Sequence, residues 1–347
     1  MQTMLHRNNF DLLRFVFAFV VFLVHAWALS GAETLKVLTD VLSTEVAVKA
    51  FFVVSGFLIF MSYEKSRSVG SYFNKRLRRI YPAYASVILI WALLGSGLSS
   101  LPIQQYFSVD VLKYLAANLV FLNFLHPNLP GLFETNHLQA VNGALWTLKI
   151  EVMFYLSVPL LVWACRRWGY MLVLLLIYVL SIAYTYTMFA VAEQTGNGLY
   201  FELQRQLPGQ LAFFVIGALG YYYLNYCYQY RWISLAVAGS AWVLQSILPW
   251  PIIQPLALGF LVVFAACLIP MLGNFGKYGD FSYGIYIVHF PILQTMIAYG
   301  YFQQNPWRDL LLAGILVLLM AYGFWHGIEK PFLRRSSHYV AANQEQS

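Results

Sequence analysis

His25 lies inside the long apolar run Phe10–Leu29, and it is the first residue of this chain that invites a chemical reading. Histidine is the side chain that can take or give a proton near neutral pH. The same run carries Asp11 and Arg14. Ionisable groups inside an apolar run of membrane-spanning length are expensive and usually mark a functional path. His25 follows Arg14 by eleven residues. On a helix at 100° per residue, that spacing brings the two within about 20° of one face, roughly 16 Å apart along the axis. Asp11 and Arg14 are i,i+3 neighbours and can pair. One face then carries a basic anchor and a proton acceptor at different depths. The plainer reading keeps Arg14 as an end residue snorkelling toward headgroups and His25 as a packed ring bonded to a carbonyl.

Three further groupings could do chemistry. Arg76 and Arg79, within Asn74-Lys75-Arg76-Leu77-Arg78-Arg79, share a helix face, and their forked donors suit phosphates; a basic cluster that only enforces topology would look the same. Glu151 enters an apolar helix behind Trp146-Thr147-Leu148-Lys149, either as a functional carboxylate or as the partner of Lys149. Ser282, Tyr286 and His289 stand at i, i+4 and i+7, a polar stripe on one helical face. Glu329-Lys330-Pro331 closes the last apolar run, where a plain helix stop is also a credible reading.

The elements that must hold these groups follow from composition. Of 347 residues, 60% are hydrophobic and only 10% charged, with a mean hydropathy of +0.64. A soluble domain carries about 25% charged residues, so a water-soluble enzyme, a disordered chain and a nucleic-acid binder are excluded. The net charge of +7 reads as the Lys/Arg excess of cytoplasmic loops. The three cysteines stand alone in apolar surroundings, so neither a metal site nor a disulfide framework is expected.

A bilayer core needs roughly 20 apolar residues as helix. The sequence offers about ten such runs: 10–30, 45–63, 79–98, 143–164, 169–190, 207–226, 232–248, 252–272, 281–300 and 309–328. The first begins like a signal peptide but is long enough to span. The expected fold is therefore an all-α polytopic membrane protein with about ten transmembrane helices and both termini cytoplasmic. That orientation gathers most of the 21 Lys and Arg residues inside, including Arg7, the 75–79 cluster, Arg166, Arg167, Arg334 and Arg335. Counting 110–125 as a full span would invert everything after it. That segment is read instead as a partial, re-entrant or interfacial helix in a long outer loop, 99–142, and such loops are more often functional than mere connectors.

Taken together and in this order, the motifs resemble the integral-membrane acyltransferase family 3. The carriers are Asp11-Leu12-Leu13-Arg14 with His25, the stretch 51–59, Arg76–Tyr84, Trp146-Thr147-Leu148 with Glu151, Tyr283–Ile292, and Glu329-Lys330-Pro331-Phe332. Any one is weak; the Arg-(ten residues)-His spacing, the Arg-x-x-Arg pair and the Trp…Glu block in sequence are specific. The resemblance implies one membrane domain over 1–335, then a polar cytoplasmic tail, 336–347. It implies transfer of an acyl group, usually acetyl, from acyl-CoA to a hydroxyl of a carbohydrate or glycan-lipid acceptor. The setting would be a bacterial inner membrane, with no permanently bound cofactor and no metal.

By position, His25 matches the family's essential histidine, Arg14 its first-helix arginine, and Arg76 and Arg79 its arginine pair. His25 is then expected as base or transient acyl carrier, with Glu151 and Asp11 beside it in the catalytic set. Arg14, Arg76, Arg79, Ser282, Tyr286 and His289 form the expected donor-binding set. Leu148-Lys149-Ile150 departs from the small or polar residues that many members carry before the glutamate. A transporter or flippase for a lipid-linked sugar would suit the composition equally; its usual pseudo-symmetric halves are not visible as a repeat.

Overall fold

The computed structural model describes residues 8–247 and 252–333. Arg7, Arg334, Arg335, the turn Leu248-Pro249-Trp250-Pro251 and the tail 336–347 lie outside the described residues. Among the described residues the chain is helical and contains no strand. The main helices are α1 (Phe10–Ser30), α2 (Thr44–Glu64), α3 (Val69–Leu98), α4 (Val109–Leu119), α5 (Trp146–Trp168), α6 (Tyr170–Thr195), α7 (Leu207–Tyr222), α8 (Arg231–Ile247), α9 (Ile253–Val263), α10 (Ser282–Ala298) and α11 (Pro306–Phe324). Pairing every backbone N–H and C=O within its own segment is what an apolar solvent demands of a spanning chain.

Six of these elements are long and apolar enough to cross a membrane: α1, α2, α3, α5, α6 and the stretch from α11 to Phe332. The chain is thus a multi-pass membrane protein. Four further helices fall on the remaining apolar runs but are shorter, with 16 residues in α7 and 17 in each of α8 and α10. The fourth, α9, continues through a π-helical segment, Phe264–Leu268. Segment 110–125 contributes only α4, of 11 residues, about 16 Å of helix, which is too short to cross.

The chain divides into two compact units. The first comprises residues up to Arg14, Val48–Phe73 and Ile150–Asn274. Its packing rests on small residues that let helix backbones meet. A Cβ added at Gly56 of α2 would lie 1.8 Å from the Phe214 carbonyl oxygen of α7, and one at Gly217 would lie 2.0 Å from that of Val53. Phe154 stacks on Phe214 beside this contact, with ring centroids 4.1 Å apart.

The second unit comprises Phe15–Ala47, Asn74–Lys149 and the chain from Phe275 onward. Here α10 packs against α11, and a Cβ at Gly284 would lie 3.0 Å from the Cα of Ala321. The long loop after α3 is fixed to this unit by buried amides. Asn118 donates to the carbonyls of Tyr114 and His126, and Asn123 donates to the Tyr84 hydroxyl. Further along, the loop docks on α10 turn by turn. Asn142 donates to the Ile287 carbonyl at 2.7 Å. Asn136 donates to the Gln294 side chain at 2.9 Å, and Gln294 in turn donates to the carbonyls of Leu138 and Ala140. Loop backbone must satisfy its polar groups somewhere, and this loop does so on the helix that carries His289.

Candidate functional site

Two helices of the second unit bring two histidines together. His25 of α1 and His289 of α10 face each other with Nδ1 of His25 2.8 Å from Nε2 of His289. His289 is fully buried, at 0% exposure, while His25 is half-buried. The ring centroids are 5.1 Å apart and the planes differ by 13°. Stacked rings would sit about 3.5 Å apart at closest; an N···N distance of 2.8 Å therefore means edge-to-edge rings sharing one hydrogen bond. Phe290 presents its ring edgewise to His25, 5.5 Å between centroids. A Cβ added at Gly143 would meet the Phe290 ring at 2.7 Å, so the loop end before α5 closes on that aromatic wall.

The polar stripe expected on α10 is present, and its three members reach different partners. Ser282, at the start of the helix, bonds to Asp280 through both its backbone N–H and its hydroxyl. Tyr286 shares a hydrogen bond of 2.7 Å with the Thr147 hydroxyl. His289 meets His25. One face therefore links three distinct parts of the unit.

Arg79 of α3 lies at the base of the same helix. Its guanidinium pairs with Asp280, and with Glu329 at 3.0 Å. Both carboxylates are buried, at 2% exposure each. Trp325 covers the guanidinium, 5.8 Å from its ring centroid. Gly279 makes this approach possible: its φ is +123°, and a Cβ there would lie 2.1 Å from the Trp325 indole nitrogen. Left-handed backbone at that point favours glycine. Arg76, one turn earlier, is half-buried in the same unit.

The other expected residues belong to the first unit. Ser55 of α2 donates to the Glu151 carboxylate, 2.9 Å from each oxygen, which gives this intramembrane acid a partner on the neighbouring helix. Lys149 sits in the second unit over the Phe124 ring, at 4.8 Å. Asp11 and Arg14 stand half-buried at the start of α1. Among the described residues no cluster of His, Cys, Asp and Glu could hold a metal ion.

Two residues of this arrangement went unrecognised as partners in the sequence. Asp280 carries a local signal, an Asp two positions before a helix-starting Ser, which is the pattern of a side-chain cap. Glu329 read as a helix terminator because nothing local marks an acid whose partner, Arg79, is so distant along the chain. The pairing of His25 with His289 likewise has no local signature.

A multi-pass membrane protein with a hydrogen-bonded histidine pair beside a docked loop is the class that fold and site define. Residues 7–326 match the family model described as an acyltransferase domain. The chain belongs to this family, the integral-membrane acyltransferase family 3. It is 30% identical to an O-acetyl transferase of Shigella phage Sf6, covering 96% of this chain and 98% of that one. It is 28% identical to Nodulation protein 10 of Rhizobium leguminosarum bv. viciae, over 97% of this chain and 96% of the relative. It is 25% identical to the exopolysaccharide production protein ExoZ of Rhizobium meliloti, over 83% and 89% of the two. No solved structure matches the chain.

Proposed function

We propose that this protein transfers an acyl group, acetyl in the first instance, from acyl-CoA to a hydroxyl of a carbohydrate acceptor. The observation that carries this reading is the hydrogen-bonded pair of His25 and His289 in a chain of the acyltransferase family. A base must take the hydroxyl proton as the acceptor oxygen attacks the thioester carbonyl. His25 is half-buried rather than sealed, as that role requires. The proton then passes to the departing CoA sulfur, leaving an ester and a free thiol. The names of the relatives, an O-acetyl transferase and an exopolysaccharide production protein, support acetyl as the group and a glycan as the acceptor class.

The direct test uses purified protein in nanodiscs with radiolabelled acetyl-CoA, with and without a sugar acceptor. Thioester turnover that depends on His25 is expected. Release of CoA before any acceptor is added would point to a transient acyl-histidine. Absence of all thioester turnover overturns the reading and favours the flippase alternative.

The donor is cytosolic and anionic, and the basic cluster of α3 is the proposed place for its phosphates. Arg76→Ala is expected to weaken acyl-CoA affinity by roughly 10- to 150-fold, the equivalent of about 1.5–3 kcal/mol for a charge-assisted hydrogen bond. Arg76→Lys should recover only part, since it keeps the charge but loses the fork. Donor affinity measured by titration checks this, with half-saturation for the sugar as control. Unchanged donor affinity in Arg76→Ala would remove this residue from the site.

We further propose ten crossings with both termini cytoplasmic, in a bacterial inner membrane, where cytosolic acyl-CoA and an exported glycan can both be reached. The helices of 16 and 17 residues are about 24–26 Å long, which modest bilayer thinning accommodates. Cysteines introduced at the exposed positions Arg67 and Thr135 should label from opposite sides, 67 from the cytoplasm and 135 from outside. Labelling of both from one side would mean that 110–125 crosses, contradicting the ten-span arrangement.

A further inference from the structure

We infer that His289 is a positioning residue that fixes which nitrogen of His25 is the base, and that this nitrogen is Nε2. The inference rests on the acyl-transfer reading for its consequence, but its premise is geometric. His289 Nδ1 lies 3.1 Å from the carbonyl oxygen of Ile285, one helical turn back on α10. A carbonyl only accepts, so Nδ1 of His289 holds the proton. In an uncharged ring the other nitrogen, Nε2, then presents a lone pair. That lone pair is 2.8 Å from Nδ1 of His25, which must therefore donate. The second nitrogen of His25, Nε2, is left as the acceptor. The chain Ile285 carbonyl, His289, His25 has one arrangement of its two N–H protons, set by a backbone oxygen that cannot reverse its role.

The coplanar, edge-to-edge rings make this more than a tautomer choice, because a bond in the ring plane also fixes the rotation of His25 about its side-chain torsions. His289 is itself held. It is fully buried, and its ring lies edgewise to Tyr286 and Phe290, with centroids 5.9 and 6.3 Å away. Tyr286 is tied to Thr147, and the backbone between them, at Ile287, is tied to Asn142. An orienting partner behind a catalytic imidazole is a recurring device: it holds the ring and its tautomer without taking the proton itself. In the reaction, Nε2 of His25 accepts the hydroxyl proton as the new C–O bond forms. It returns that proton to the thiolate as the C–S bond breaks, while His25 Nδ1–H stays bonded to His289 throughout.

Two measurements separate this inference from the function itself. The first needs no substrate. With ¹⁵N-labelled histidine in the full-length protein in nanodiscs, the His25 signals are assigned by their loss in His25→Ala. Nδ1 is expected protonated and Nε2 bare. A protonated Nε2 with a bare Nδ1 in the wild-type protein overturns the inference whether or not acyl transfer is found. The second is kinetic. His289→Leu should lower kcat by roughly 100-fold, in the range of orienting partners, with the donor KM unchanged. His289→Gln offers an amide oxygen to His25 Nδ1–H and should recover activity to within about tenfold of wild type. A merely structural role would leave Leu and Gln alike, and that equality, or a fully active His289→Leu, overturns it. If His289→Leu does not fold, the wild-type nitrogen spectrum and the Gln variant still decide. If the wild-type protein transfers nothing, the acyl-transfer reading fails and the nitrogen assignment stands or falls on its own spectrum.

Discussion

His25→Ala is expected to abolish acyl transfer while leaving the protein inserted and monodisperse. Loss of a general base typically costs about 10²–10⁴-fold, and a transient acyl carrier, if His25 is one, would be lost outright. The ring is the half-buried member of a histidine pair whose other member is sealed, so it is the one that a substrate can reach. Its removal leaves His289 in place, with Nδ1 held on the Ile285 carbonyl. The measurement is transfer by purified variant and wild type at saturating acetyl-CoA, with size-exclusion profiles compared. Near-normal transfer by a well-folded variant would sink the assignment of His25 as base and, with it, the kinetic role inferred for His289, while the nitrogen assignment rests on its own spectrum.

Arg79→Ala should show its largest effect on stability. Arg79 pairs with Asp280 and Glu329, two carboxylates at 2% exposure, under the Trp325 ring. Removing one partner of a buried ion pair typically costs about 3–5 kcal/mol, because a buried charge loses its compensation. The effect should travel to α10, because Asp280 also accepts hydrogen bonds from the backbone N–H and hydroxyl of Ser282, the first residue of that helix. Arg79→Lys should be intermediate, since a single ammonium cannot fork to two carboxylates. Combining Arg79→Met with Asp280→Asn and Glu329→Gln should return much of the loss, as replacing a whole buried ion set by neutral groups is often tolerated. Thermal unfolding in detergent is the readout. A single Arg79→Ala variant as stable as wild type would show that the ion set does not brace the helix. Donor affinity in the same variants tells whether Arg79 also serves the phosphates, as Arg76 is proposed to do.

Local pattern made much of this protein legible. The run of apolar segments follows from the 10% charge content, because a bilayer accepts only chain that bonds its own backbone. Six of the ten expected runs form helices long and apolar enough to cross, the other four carry shorter helices, and the segment 110–125 formed only the short α4. His25 and Glu151 were visible because an ionisable residue in an apolar run is costly and so stands out, and the Arg76–Arg79 pair because two forked donors at i,i+3 share a face. The α10 stripe was visible as a period.

What the period could not give was the partner of each group. Ser282, Tyr286 and His289 looked like one surface for one ligand; they bind Asp280, Thr147 and His25 separately. Arg79 looked like a phosphate donor, and its nearest anions are carboxylates of its own chain. Glu151 had Lys149 as a near neighbour in sequence, yet it bonds to Ser55 on another helix. Spacing along one helix fixes direction and depth to within a turn, since 3.6 residues per turn is a property of the backbone alone. Which side chains meet across helices depends on how closely the helices approach. Here that is set by glycines at Gly56, Gly217 and Gly284, where an added Cβ would crowd the neighbouring helix, and by loop amides that dock on α10. The sequence by itself therefore determined the solvent this chain lives in and the groups that could do chemistry; only the tertiary structure decided that His25 bonds to His289, because that contact joins helices at opposite ends of the chain.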